Sequence, residues 1–229
     1  MTTRSQGEYI TASFEYISQC AKEVESLADC IKDRVRKRME RDARSLGFAV
    51  AGGWEQERRY EAHEWLQSDA AWSLPLKKAG KGKQVAKSYL SIQVSLSGDG
   101  LIPGSKEPVV HVCCFDEASN FSEDDYYYMG FPVEDDEDSE ELCRIHHERC
   151  LVWYRNTATP WMSSWCYSLR LTALLGVADV DRLVVEPSMK LLSGASVLDA
   201  LPDDLLDREV FSYRNADLSA LGIKDFDSA

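Results

Sequence analysis

Cys143, His146, His147 and Cys150 are the densest set of metal-ligating side chains in the sequence. On a helix they would stand at i, i+3, i+4 and i+7, with Cys143 and Cys150 ~10 Å apart along the axis. Thiolate ligands must each come within about 2.3 Å of one zinc ion, so at most a pair such as Cys143 with His147 can share a metal. His111 and Cys113, two apart on an expected strand, are the available partners. The spacing favours a satisfied histidine pair and packed thiols over a metal centre. No metal and no cofactor is expected.

The tract Lys77-Lys78-Ala79-Gly80-Lys81-Gly82-Lys83 invites a phosphate-binding reading, since backbone amides and lysines together cradle anions. It is not a P-loop, because its glycines are two apart and no Ser or Thr follows Lys83. Seven basic residues (Lys32, Arg34, Arg36, Lys37, Arg38, Arg41, Arg44) crowd one stretch nearby in sequence. With Lys77, Lys78, Lys81 and Lys83, the residues Arg34, Arg38 and Arg41 would make the one plausible nucleic-acid surface. Asp116 and Glu117 with Lys87 would suffice to hold Mg²⁺ for phosphodiester cleavage, although no [DE]-x-K follows on a strand. Ser163 and Ser164 are better read as caps than as nucleophiles. No nucleophile elbow, dinucleotide fingerprint, H-E-x-x-H or kinase signature is present.

The run Glu134-Asp135-Asp136-Glu137-Asp138-Ser139-Glu140-Glu141 follows Tyr126-Tyr127-Tyr128 and Phe131. Charge this dense suits a basic protein surface, and tyrosines supply rigid contact area. Tyr126, Tyr127, Tyr128, Glu134, Asp135, Asp136, Glu137 and Asp138 are therefore the candidate partner-binding residues. The net charge of −13 is uneven: residues 1–100 carry 16 Lys+Arg against 14 Asp+Glu, and the remainder carries 10 against 25. Such asymmetry either steers a basic partner or lets the two parts of the chain attract each other.

The elements that must hold these residues begin with a helix over 5–46. Ser5 and Glu8 form a capping box, Gly47 supplies a stop, and neither Pro nor Gly intervenes after Glu8. Ile10, Phe14, Ile17, Ala21, Val24, Ala28, Ile31 and Val35 recur at alternating steps of four and three, one apolar stripe that must be covered. At ~60 Å the helix exceeds the ~45 Å diameter of a compact chain this long, so it should overhang, bend or pair, which mildly favours a homodimer.

Residues 48–131 form a mixed region: Glu55–Gln67 could be helix or strand and leans to helix, a half-buried strand is expected over Ser88–Ser97 and another over Pro108–Phe115. Tyr126–Phe131 and Cys150–Arg155 read as strands flanking an acidic loop over 132–142. In 143–229, Thr159-Pro160 and Gly176 bracket an expected buried helix in which Arg170 must snorkel out or find a carboxylate. A strand over Leu183–Glu186 and short helices near Pro202 and Asp217 follow.

These readings predict an α+β chain in one domain, 1–229. An antiparallel sheet of about four or five strands is covered by the long N-terminal helix and the buried helix. The seven cysteines are odd in number and lack a CxxC pair, no apolar run reaches ~18 residues, and the N-terminus lacks signal-peptide order. A cytoplasmic chain away from membranes is expected. The leading function is a non-enzymatic acidic interaction protein, of inhibitor or immunity type, binding a basic protein partner. The alternative is a nucleic-acid-acting protein, including a metal-dependent nuclease.

Overall fold

Ser5 starts the first element by both arms of the capping box: its Oγ accepts from the Glu8 amide at 3.3 Å, and the Glu8 carboxylate accepts from the Ser5 amide at 2.5 Å. Helix α1 (Gln6–Leu46) then runs for 41 residues. It stops at Gly47, whose φ of 73° lies in the left-handed region that a Cβ penalises. The computed structural model describes residues 5–60, 66–80, 86–96, 106–121, 126–127, 131–132, 142–154, 164–202, 205 and 209–215.

The main sheet has 8 strands, more than the four or five expected, all paired antiparallel. Its members are β1 (Phe48–Val50), β2 (Glu55–Tyr60), β3 (Gln67–Lys78), β4 (Ser88–Ser95) and β5 (Val109–Phe115). Next in the chain are β6 (Tyr126–Tyr127) and β7 (Phe131–Pro132), which form a separate two-stranded ladder. The main sheet is completed by β8 (Leu142–His146), β9 (Cys150–Tyr154) and β10 (Ser164–Arg170). The strand order is β1-β3-β4-β5-β10-β9-β8, with β2 sharing the outer side of β3.

Three element assignments are corrected. The Glu55–Gln67 stretch, expected to lean to helix, begins in its described part as strand β2, which pairs with the start of β3. Its charged residues mark it as an edge strand, exposed along nearly its whole length. The helix expected from Thr159 to Gly176 is, in its described part, strand β10 followed by a short 3-10 turn (Leu171–Ala173). β10 lies between β5 and β9 and is buried on both faces, so its apolar run lacks the alternation that distinguishes a strand from a buried helix. Arg170 does find a carboxylate: it pairs with Glu107 and stacks 4.5 Å over the Phe211 ring. The strand expected over Leu183–Glu186 is helical. A run of α2 (Val177–Asp179), a π-helical stretch (Val180–Val185) and α3 (Glu186–Leu192) occupies that region.

Pro187 has no N–H to give the Leu183 carbonyl four residues back. The Tyr167 hydroxyl donates to that carbonyl instead, at 3.0 Å, and Ser188 Oγ donates to the Val184 carbonyl at 2.6 Å. One side chain of β10 thereby ties the sheet to the helical run.

The face of the sheet formed by Leu74, Leu90, Ile92, Val94, Val110, Val112, Tyr167 and Leu169 meets the C-terminal half of α1 through Ala28, Ile31, Val35 and Met39. The stripe continues from Val24 back to Ile10, but Ile10, Phe14 and Ile17 are exposed. Helix α1 therefore overhangs. Short helix α4 (Val197–Ala200) ends before Pro202, near where a helix is expected, and no helix among the described residues is long and apolar enough to cross a membrane. The helix expected near Asp217 lies outside the described residues.

Candidate functional site

The Ser88–Ser97 strand is read from its sequence as half-buried, yet β4 is covered on both faces. Ser91, Gln93 and Ser95 alternate with the core residues and carry the second face inward. Ser73 and Ser91 share a hydrogen bond of 2.8 Å, Gln93 Nε2 donates to Ser119 Oγ at 2.8 Å, and the Ser119 amide donates to Ser73 Oγ at 2.9 Å. The chain after β5 thus folds back over these strands and satisfies Ser73, Ser91 and Gln93, as burial requires, while Ser95 Oγ is buried without a hydrogen-bond partner. On β3, Asp69 is buried and accepts from Arg59 Nε of β2 at 2.8 Å.

Further along the same face lies a constellation that residue spacing does not reveal. His111 and Cys113 of β5 stand directly opposite Ser168 and Cys166 of β10. His111 Nδ1 shares a 2.7 Å hydrogen bond with Ser168 Oγ, which meets the Tyr213 hydroxyl at 2.5 Å. Tyr213 OH is 3.9 Å from Cys166 Sγ, and the Cys113 and Cys166 sulfurs are 3.3 Å apart. Burial and the bond to Cys166 push the Cys113 thiol well above its ordinary range. Burial also pushes Cys166 up, but hydrogen bonds with Cys113 and His111 outweigh it and bring the thiol to about 6. Chemically this is a pair of hydrogen-bonded thiols beside an imidazole. All five groups are at most 1% exposed, so the network is sealed against any substrate. Only the strand register places residues 53 apart side by side, and no motif announces it.

The Cys143–Cys150 set does not converge. These residues lie on a hairpin rather than a helix: Cys143 and His146 on β8, Cys150 opposite His146 on β9. His147 and Glu148 form the turn at φ 50° and 58°. Cys143 is buried with Cys113 and Cys166, whereas His147 is exposed at the hairpin tip. Alternation along the strands sends Cys150 into the other core cluster. Among the described residues no three His, Cys, Asp or Glu side chains are grouped to hold a metal ion. The left-handed turn is held from outside: the Glu148 carboxylate accepts from Arg214 Nε at 2.8 Å, and its carbonyl accepts from the Tyr213 amide at 2.6 Å.

The basic candidates lie where α1 hands over to the sheet. Gly47 leads into β1, whose Phe48 and Ala49 pair with Lys78 and Lys77, so the lysine tract begins beside the basic end of the helix. Lys81 and Lys83 lie outside the described residues. Six of the seven helix cations hold carboxylates. Arg34 holds Asp181 through both carboxylate oxygens, Arg38 holds Asp42 and Glu186, and Arg41 Nε donates to Asp42 at 2.8 Å. Lys32, Arg36 and Lys37 pair with Asp29, Glu40 and Asp33 on the helix itself.

Tyr126 and Tyr127 form strand β6 and pair with Pro132 and Phe131. Tyr128 and the acidic residues Glu134, Asp135, Asp136, Glu137 and Asp138 lie outside the described residues, as does Ser163. Asp116 follows β5, and the Tyr89–Phe115 register places it at the same end of the sheet as Lys87. No family model, curated protein or solved structure matches the chain.

Proposed function

We propose that this chain is a non-enzymatic interaction protein that presents negative charge to a basic protein partner, through Tyr126, Tyr127, Tyr128 and the acidic stretch Glu134–Asp138. The observation that carries this reading is the occupation of the helix cations. Arg34 and Arg38 reach carboxylates 147 and 148 residues away, in the acidic part of the chain. Basic residues spent on internal ion pairs are poorly placed to neutralise phosphates, so the surplus of −13 is the charge a partner meets. The sealing of the His111–Cys166 network supports a non-enzymatic role, because a catalytic group must reach its substrate.

The nucleic-acid reading would rest on Arg34, Arg38, Arg41, Lys77, Lys78, Lys81 and Lys83, and the first three are already paired. The test is a pull-down of the tagged chain from a lysate of its source cell, with and without nuclease. A stoichiometric protein partner that survives nuclease and is released by salt is the expected result. Recovery of nucleic acid, or of proteins lost on nuclease treatment, would overturn it.

A further inference from the structure

The overhang of α1 has a defined length and a defined face. From Gln6 to Glu23 every residue is exposed except Ala12 and Cys20, which are half-buried; from Val24 onward the same stripe turns into the core. Within this segment, about 18 residues and ~27 Å long, the side chains of Ile10, Phe14 and Ile17 are 54%, 56% and 38% exposed. Tyr9 and Tyr16 widen the apolar arc to about 160° of the helix circumference. The charged residues Glu8, Glu15 and Lys22 fall on the opposite side, and Glu23 stands about 20° beyond Tyr16 at the edge of the arc. An apolar face this wide, clear of charge, is the pattern of a helix that packs against another element.

We infer that Gln6–Glu23 pairs antiparallel with the same segment of a second copy of this chain. Orientation follows from the fold. From Ala28 on, the stripe is covered by the chain's own sheet and helical run, so a parallel partner would run into that body. An antiparallel partner ends where the body begins. It also holds the two bodies, each part of a chain of net charge −13, at opposite ends of the seam, beyond the ~8–10 Å reach of unscreened repulsion.

Register follows from side-chain size. Setting Phe14 against Ile17 of the second copy sets Ile10 against Ala21 and Gly7 against Val24, two large side chains in the central layers and large against small in the outer ones, and uses the whole overhang. Two helices joined over ~27 Å remove on the order of 1,000 Å² from water, the threshold of a specific interface.

Light scattering of the full chain tests the pairing. The expected mass is twice that of one chain, and Phe14→Glu should halve it with the circular dichroism and thermal midpoint unchanged, because Phe14 makes no core contact within the protomer. In a Cys20→Ser, Cys30→Ser background, Ile10→Cys mixed with Ala21→Cys should be joined by a short bismaleimide, and Ile10→Cys alone should not. Three outcomes would overturn the inference: a single-chain mass for the unaltered protein, a dimer indifferent to Phe14→Glu, or preferential joining of Ile10→Cys to itself. A single-chain mass with sedimentation on vesicles of neutral and anionic phospholipid would overturn it by assigning the face to a lipid surface.

Discussion

Arg34 of helix α1 meets Asp181, 147 residues later, with its Nε 2.8 Å from one carboxylate oxygen and its Nη2 on the other. This two-pronged geometry is the specific form of guanidinium–carboxylate pairing. It joins the mildly basic first part of the chain to the acidic remainder within one molecule.

Exchange of the two charges tests that joining. Arg34→Asp and Asp181→Arg should each lower the thermal midpoint, and the double variant should recover most of the loss. A double variant no more stable than the worse single one would mean that the pair contributes nothing to holding α1 on the helical run.

Asp42 carries a pH signature. Hydrogen bonds from Arg41 and then Arg38 hold its carboxyl at about 2, below the ~3.9 of an unfolded aspartate. Because the folded value is the lower one, its stabilising contribution is complete above ~4 and is lost as pH falls towards 2. A carboxyl-carbon NMR titration should place Asp42 near the lower value, and Arg41→Ala should move it up. Titration near ~3.9 in the unaltered protein would contradict the ion-pair geometry.

Tyr167 serves the Leu183 carbonyl that Pro187 leaves without a donor. Tyr167→Phe keeps the ring and strands that buried acceptor, so it should cost about 1–3 kcal/mol in urea denaturation. A cost near zero would show that the carbonyl finds another donor.

Cysteine accessibility separates the two environments of the thiols. Cys20 and Cys30 on α1 are half-buried, whereas Cys113, Cys114, Cys143, Cys150 and Cys166 are buried. Burial, with the Asp116 charge, raises Cys114 to about 12, and burial followed by Cys166 raises Cys143 to about 12. Maleimide should label Cys20 and Cys30 in the native protein and the other five only after unfolding. Native labelling of Cys166 would mean that the network of His111, Ser168 and Tyr213 opens to solvent.

The start and end of α1 were legible because a capping box and a glycine stop are local chemistry, written within a few residues. β4 and β5 were legible from alternation and valine content. The alternation of β4, however, marked two buried faces rather than an inside and an outside, since Ser73, Ser91 and Ser119 bond one another instead of water. β10 was hidden because a strand buried on both sides has no period to read. β2 was hidden because an exposed edge strand is charged throughout. The contact of His111 with Ser168 depends on a register between strands 57 residues apart, which no local pattern encodes. The apolar stripe of α1 was legible as a whole, but its division into a packed and an unpacked half depends on where the sheet ends.

The most direct measurement of the central claim uses the partner captured from lysate and follows its affinity for the chain across a salt series. Asp135, Asp136, Glu137 and Asp138 are replaced together by Ser in a parallel sample. The account predicts weaker binding by the variant and a flatter dependence on salt, because fewer charges then attract the basic surface. Equal affinity and an equal slope for the two proteins would contradict it.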